Sequence, residues 1–115
     1  MQNLTRINLF SERESFLKIN SGDCASLGMK IINTKSQCKN AAKSLQLQDI
    51  FPSQDQSSGR PHGCIYQPDT DDLLWNEPDG NPNPNVPCGY VIPYTPISFD
   101  CICEGISYSI YLETF

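Results

Sequence analysis

Six cysteines and a single histidine are the side chains of this 115-residue chain with the most chemical potential. The cysteines are Cys24, Cys38, Cys64, Cys88, Cys101 and Cys103. An even number in a chain this small reads as a disulfide framework formed in an oxidising compartment. No C-x-x-C pair is present. Cys101-Ile102-Cys103 puts two thiols on one face of a strand, so each must bond a different partner. A zinc site from His62, Cys64, Cys101 and Cys103 has suitable ligand types but not the spacing of common fingers. A nucleophile made of Cys64 and His62 would need a free thiolate beside its base, which a full set of bridges denies. The expected pairing is Cys38 with Cys64, with Cys24 and Cys88 shared between Cys101 and Cys103. Each bridge should contribute roughly 2–4 kcal/mol, mostly by restricting the unfolded chain.

Carboxylates form the second group. Asp69, Asp71, Asp72, Glu77 and Asp79 fall close together, with Asn76, Gly80 and Asn81 among them. Oxygen-rich turns are what calcium needs, but Asp69-x-Asp71-x-Leu73 departs from the EF-hand order, and a solvated acidic loop has the same composition. No metal is therefore assigned. Asp71 and Asp72 lie in an apparent turn, with no apolar pocket in view to raise a pKa for acid catalysis. Neither a G-x-S-x-G elbow nor a G-x-x-x-x-G-K-S/T loop occurs. Trp75 beside Asn76 and Asp79 has the makings of a sugar platform, a ring face for stacking and amide or carboxylate groups for directional bonds. The alternative is that Trp75, the only tryptophan, faces the core. The expectation is a chain with no cofactor and no catalytic residues.

These side chains must be positioned by few elements. Thr34-Lys35-Ser36-Gln37 is a capping pattern. Cys38, Ala41, Ala42 and Leu45 follow at helical spacing, a narrow stripe of small residues that suits close packing on a sheet. Met29–Ile32, Gly63–Gln67, Leu73–Asn76 and Phe99–Glu104 read as strands. Ile106, Tyr108, Ile110 and Leu112 alternate with Ser107, Ser109, Tyr111 and Glu113, the strongest strand pattern in the chain. Ser11-x-x-Glu14 followed by Phe16, Leu17 and Ile19 predicts a short helix from Glu12 to about Lys18; the other reading of this region is a flexible leader. Eight of nine prolines lie between Pro61 and Pro96. Asn81-Pro82-Asn83-Pro84-Asn85 excludes helix and central strand. The expected fold is α+β, with one main helix at about 35–47 packed on a small, mostly antiparallel sheet, stapled by disulfides and carrying long proline-rich loops. Residues 1–21 form an N-terminal extension, 22–104 the cysteine-rich domain and 105–115 a C-terminal strand or docking tail.

Net charge is −5, and it is unevenly spread. All eight basic residues lie in the first 60 positions, which carry +3; the remainder carries −8. This argues against binding nucleic acid through a phosphate-neutralising patch. No apolar run approaches the roughly 18 residues of a spanning helix. Met1-Gln2-Asn3-Leu4 is polar and no apolar segment follows, so a mature or trimmed portion of an exported precursor is expected. Asn3-Leu4-Thr5 is the only glycosylation sequon.

The order Cys24, Cys38-x-x-Ala41-Ala42-x-x-Leu45, Arg60-Pro61-His62-Gly63-Cys64, Leu74-Trp75-Asn76 and Cys101-Ile102-Cys103 resembles a small cysteine-rich domain. That domain recurs, mostly uncharacterised, in secreted and organellar proteins of algae and other marine eukaryotes. The resemblance covers about residues 22–104, and its most specific parts are the alanine pair and the R-P-x-G-C segment. Cys88, the doubled Cys101/Cys103 and the Asn-Pro insertion depart from the pattern. The resemblance implies an extracytosolic interaction module and no catalytic residues. Ile102-Cys103-Glu104 is also similar to the ending of C-type lectin-like domains, without the calcium-ligand triplets of their carbohydrate-binding members.

Function is then expected to lie in the termini. Leu4, Ile7 and Phe10 at one end, and Tyr108, Ile110, Leu112 and Phe115 at the other, are apolar residues flanking a stapled core. A terminal strand of this kind either completes its own sheet or docks on another chain. The reading is a non-catalytic structural or protein-interaction subunit of an extracytosolic assembly, touching a membrane only through its partners. Its place is outside the cell or in an organelle lumen; an accessory subunit of a photosynthetic complex in the thylakoid lumen is one specific case. The alternative is a secreted carbohydrate-binding, lectin-like module using Trp75, Asn76 and Asp79.

Overall fold

The computed structural model describes residues 5–78 and 86–114, with side chains for 15–78 and 86–105. Along the chain come β1 (Thr5–Ile19), a single 3-10 turn (Ala25–Leu27), β2 (Lys30–Ile31), α1 (Lys35–Ser44), β3 (Ser53–Asp55), β4 (Gly63–Gln67), β5 (Asp72–Asn76), β6 (Tyr90–Val91) and β7 (Ser98–Thr114). Among the described residues this is one helix on one mixed sheet of order β1-β7-β4-β5-β3, with β2 and β6 also paired to β7. All pairings are antiparallel except that of β3 with β5. The expected α+β architecture, mostly antiparallel and disulfide-stapled, is therefore present.

β7 organises the domain because its alternation sorts two kinds of core onto opposite faces. Ile102 lies under the helix with Ile32, Cys38, Ala41, Ala42, Cys64, Tyr66, Leu73 and Trp75. Phe16, Leu45, Leu47 and Ile50 close the rim of that cluster. Cys101 and Cys103 belong to a second cluster with Cys24, Cys88, Ile19 and Met29. The bridges are Cys38–Cys64, Cys24–Cys103 and Cys88–Cys101. One ties the helix to the sheet, and the other two cover its opposite face. A domain this small has limited apolar area to bury, and all six bridged cysteines are buried in its interior.

α1 forms where the capping pattern places it. The Thr34 hydroxyl accepts from the Gln37 N–H at 3.1 Å, and Cys38, Ala41 and Ala42 are fully buried. The helix stops at Ser44, three residues short of the expected Leu47. Gln46 takes a left-handed φ of 57°. Its N–H donates to the Lys43 carbonyl and that of Leu47 to the Ala42 carbonyl. This is the double bond of a Schellman ending, made here without the glycine that normally signals it.

The predicted helix from Glu12 to Lys18 is overturned, since those residues lie within β1. A helix of that length is marginal in water, whereas β1 pairs with β7 continuously from Ile19↔Cys101 to Ser11↔Ser109, and again from Asn8↔Tyr111 to Thr5↔Thr114 after an irregularity. Non-local pairing outweighs the local cap. β2, β4 and β6 meet β7 no further along than Glu104. Beyond it, residues 5–14 and 106–114 continue as a two-stranded ribbon, about 30 Å long at strand rise. The molecule measures 69 × 26 × 25 Å.

At the other end of β1 the chain is tightly apposed to the approach to β6. Gly89 has φ +79°, and a Cβ there would stand 1.8 Å from the Asn20 carbonyl oxygen. Gly89→Ala is expected to cost about 3 kcal/mol, from the left-handed backbone and the displaced carbonyl together. Chemical denaturation with an unchanged m-value checks it; a loss under 1 kcal/mol would show that the two segments separate freely.

Candidate functional site

The chemistry-bearing residues are mostly engaged in holding the fold. Cys64 is bonded to Cys38, so it offers His62 no thiolate, and the ligand set His62, Cys64, Cys101 and Cys103 has no thiolate for zinc. His62 Nε2 is buried without a hydrogen-bond partner. Among the described residues no group of three or more His, Cys, Asp or Glu is arranged to hold a metal ion.

The sugar platform is corrected by burial. Trp75 is only 2% exposed and lies in the helix-side cluster. Its indole N–H donates to Glu77 Oε2 at 3.1 Å. Asn76, the next residue on β5, is completely buried. Its amide nitrogen donates to the carbonyls of Ser57 (3.0 Å), Arg60 (3.2 Å) and Pro61 (2.7 Å), while its oxygen accepts from the Ser57 N–H at 2.9 Å. Asn76 is thus the internal tie of the 57–61 loop. Arg60 steadies the same loop, bonding Asp55 at 2.8 Å and lying over the Phe99 ring at 4.8 Å. Asp79, Gly80, Asn81 and the sequon residue Asn3 lie outside the described residues. Three of the described acids have protein partners: Asp71 accepts from the Tyr66 hydroxyl, Asp72 from Thr70 and Glu77 from Trp75.

Polar groups also enter the helix-side face, among them the Tyr66 hydroxyl. Tyr66 pairs in register with Asp100 across β4 and β7. The Lys18 ammonium lies 4.5 Å from the centre of its ring. The hydrogen bond to Asp71, then burial, then the charges of Asp71 and Asp100 push the Tyr66 hydroxyl up to about 12. Burial also raises the Asp100 carboxyl, and Lys18 opposes that rise. A phenol whose folded pKa exceeds its ordinary value of 10.0 favours the folded state fully below pH 10. That contribution fades as pH rises from there through about 12. Spectrophotometric titration should show a tyrosinate step near pH 12 that Tyr66→Phe removes and Asp71→Asn moves down. A step that stays in place in Asp71→Asn would refute the hydrogen bond as its main cause.

Sequence reasoning passed over two exposed apolar features. Leu17 and Ile31 both pair in register with Cys103, on its two sides, and remain 46% and 40% exposed. Tyr94 tops the turn between β6 and β7 and is wholly exposed at a left-handed φ of 62°. The turn is closed by Ile92 N–H to Ile97 carbonyl (2.9 Å) and Thr95 N–H to Ile92 carbonyl (3.2 Å) bonds. Pro93 and Pro96, on either side of Tyr94-Thr95, were the available cue.

The expected partner-binding residues come together. Ile7 and Phe10 lie on β1, and Tyr108, Ile110 and Leu112 on β7, with Ile7 opposite Leu112 in register. The N- and C-terminal segments thus form the two strands of one ribbon. Leu4 and Phe115 lie outside the described residues. No helix among the described residues is long and apolar enough to cross a membrane. Three bridges and no free cysteine point to an oxidising compartment. The chain matches no family model, no curated protein and no solved structure.

Proposed function

We propose that this chain is a non-catalytic protein-interaction subunit of an extracytosolic assembly, docked through the ribbon of residues 5–14 and 106–114. The observation that carries this reading is the ribbon itself. Among the described residues, no third strand pairs with it beyond Glu104. Two-stranded ribbons are at best marginally stable in water, and a third strand or a packed layer is what secures them. Ile106, Tyr108, Ile110 and Leu112 occur at alternate positions along it, a pattern that calls for a covering surface. The non-catalytic part of the reading is supported by the engagement of the cysteines, Trp75 and Asn76 within the fold.

The finer placement, an accessory subunit on the lumenal side of a photosynthetic membrane complex, is supported by the algal cysteine-domain resemblance alone. In that case the partner is a protein of the complex, and the membrane is met only through it. Nucleic acid is disfavoured as a partner by the net charge of −5.

Deleting Ile106–Phe115 tests the docking element. The shortened chain should keep its three bridges and its cooperative unfolding, and should no longer enter the assembly. Assembly at the level of the intact chain would sink the proposal. Fractionation of the source organism's compartments tests the lumenal placement separately.

A further inference from the structure

We infer that the open edge of β7, Ile106–Thr114, takes the β7 of a second copy of this chain, antiparallel about Ile110. This deepens the docking reading and rests on it, since it names the first partner of the ribbon.

The two edges of β7 are distinguishable from the pairings. Cys101 pairs with both Ile19 of β1 and Ile65 of β4, and Cys103 with both Leu17 of β1 and Ile31 of β2. β1 therefore occupies one edge, and β4 and β2 the other. β1 follows its edge to Thr114, but the opposite edge is untenanted among the described residues past Glu104. An added strand there would continue the line of β2.

The free edges of the ribbon differ in protection. β1 carries Arg6, Glu12, Arg13 and Glu14, and its register is broken between Asn8 and Ser11. Charges and bulges are what keep an edge from pairing. Residues 106–114 of β7 read Ile-Ser-Tyr-Ser-Ile-Tyr-Leu-Glu-Thr, without proline and with Glu113 as the single charge. This is an edge with high strand propensity and almost no guard.

The same stretch is self-complementary. Antiparallel pairing about Ile110 sets Tyr108 opposite Leu112, Ser109 opposite Tyr111, Ser107 opposite Glu113 and Ile106 opposite Thr114. The whole free edge is used and no like charges are opposed, which a two-fold interface requires of its own sequence. The two Gly105 residues stand about 34 Å apart along the strands, so the two stapled bodies lie at opposite ends. The product is a four-stranded sheet, β1-β7-β7-β1, past the threshold at which strands with an apolar face become stable.

The intact, oxidised chain is examined by sedimentation equilibrium, alone and as two variants. The wild type should show twice the 12.9 kDa of one chain. Ile110→Lys places two ammonium groups face to face at the two-fold and should halve the mass. Asn8→Lys, on the guarded strand, should leave it doubled. A single-chain mass for wild type, or a doubled mass surviving in Ile110→Lys or in the Ile106–Phe115 deletion, overturns the inference. A halved mass in Asn8→Lys as well would overturn the choice of edge. Entry into the larger assembly is read separately. A monomeric wild type that still needs Ile106–Phe115 to join it would refute self-pairing and leave the docking reading standing.

Discussion

Reduction of the three bridges is expected to unfold the domain at neutral pH without added denaturant. The sequence separations closed are 79 for Cys24–Cys103, 26 for Cys38–Cys64 and 13 for Cys88–Cys101. Loop-closure entropy assigns these about 4.5, 3.5 and 3 kcal/mol. The first bridge encloses the other two, so their combined effect is smaller than the sum. Even so, it approaches the 5–15 kcal/mol (roughly) by which small domains are stable at all. The structural reason is the cluster of Cys24, Cys88, Cys101 and Cys103 on one face of the sheet, against which, among the described residues, Ile19 and Met29 pack as partly buried hydrophobics. Without the bridges, Ile65 and Phe99 are the fully buried apolar side chains that register and alternation leave on that face. Circular dichroism and thermal melting with and without reductant check this. A reduced chain that still melts cooperatively would show that the helix-side core is sufficient alone.

Asn76→Leu should destabilise the oxidised domain by about 4 kcal/mol, among the larger effects of a single substitution. The substitution removes the amide that bonds the carbonyls of Ser57, Arg60 and Pro61 and the N–H of Ser57. The site admits no easy replacement by water, because Asn76 is fully buried beneath the loop it ties. Asn76→Asp makes a sharper comparison. It keeps the shape and the acceptor for Ser57, but turns a carboxylate oxygen toward the three carbonyls. Only the protonated acid can donate there, so the folded state raises its pKa. Stability of that variant should be greatest in acid and fall as pH rises past the ordinary aspartate range. Urea titrations at two pH values measure both variants; equal loss for Leu and Asp at acid pH would contradict the donor role.

The helix was legible because its signals are local: a threonine cap and an apolar stripe of Cys38, Ala41 and Ala42. Its end was not, because Gln46 adopts the left-handed conformation that a glycine would have announced. The alternation of Cys101 and Cys103 with Ile102 foretold two bridges to separate segments, and the Cys38–Cys64 staple followed from helix and strand placement. Residues 106–112 read as a strand from period two alone. Its partner did not, because Ser11-x-x-Glu14 imitates a helix cap and the pairing that overrules it lies some hundred positions away in sequence. β3 had no legible pattern; its three polar residues are held parallel to β5 by tertiary context. Trp75 and Asn76 show how a motif misleads. An aromatic beside an amide has the composition of a sugar site, and only burial reveals that the ring packs under the helix and the amide bonds the 57–61 loop. Tyr94 was hidden for the opposite reason: Pro93 and Pro96 mark a turn, but neither marks a left-handed, wholly exposed tyrosine at its tip.

Docking through the terminal ribbon is most directly tested by the native mass of the protein gently extracted from its source. The expected result is migration in a complex far heavier than two chains, from which the Ile106–Phe115 deletion is absent. Migration alone, at 12.9 kDa or twice that, would contradict it.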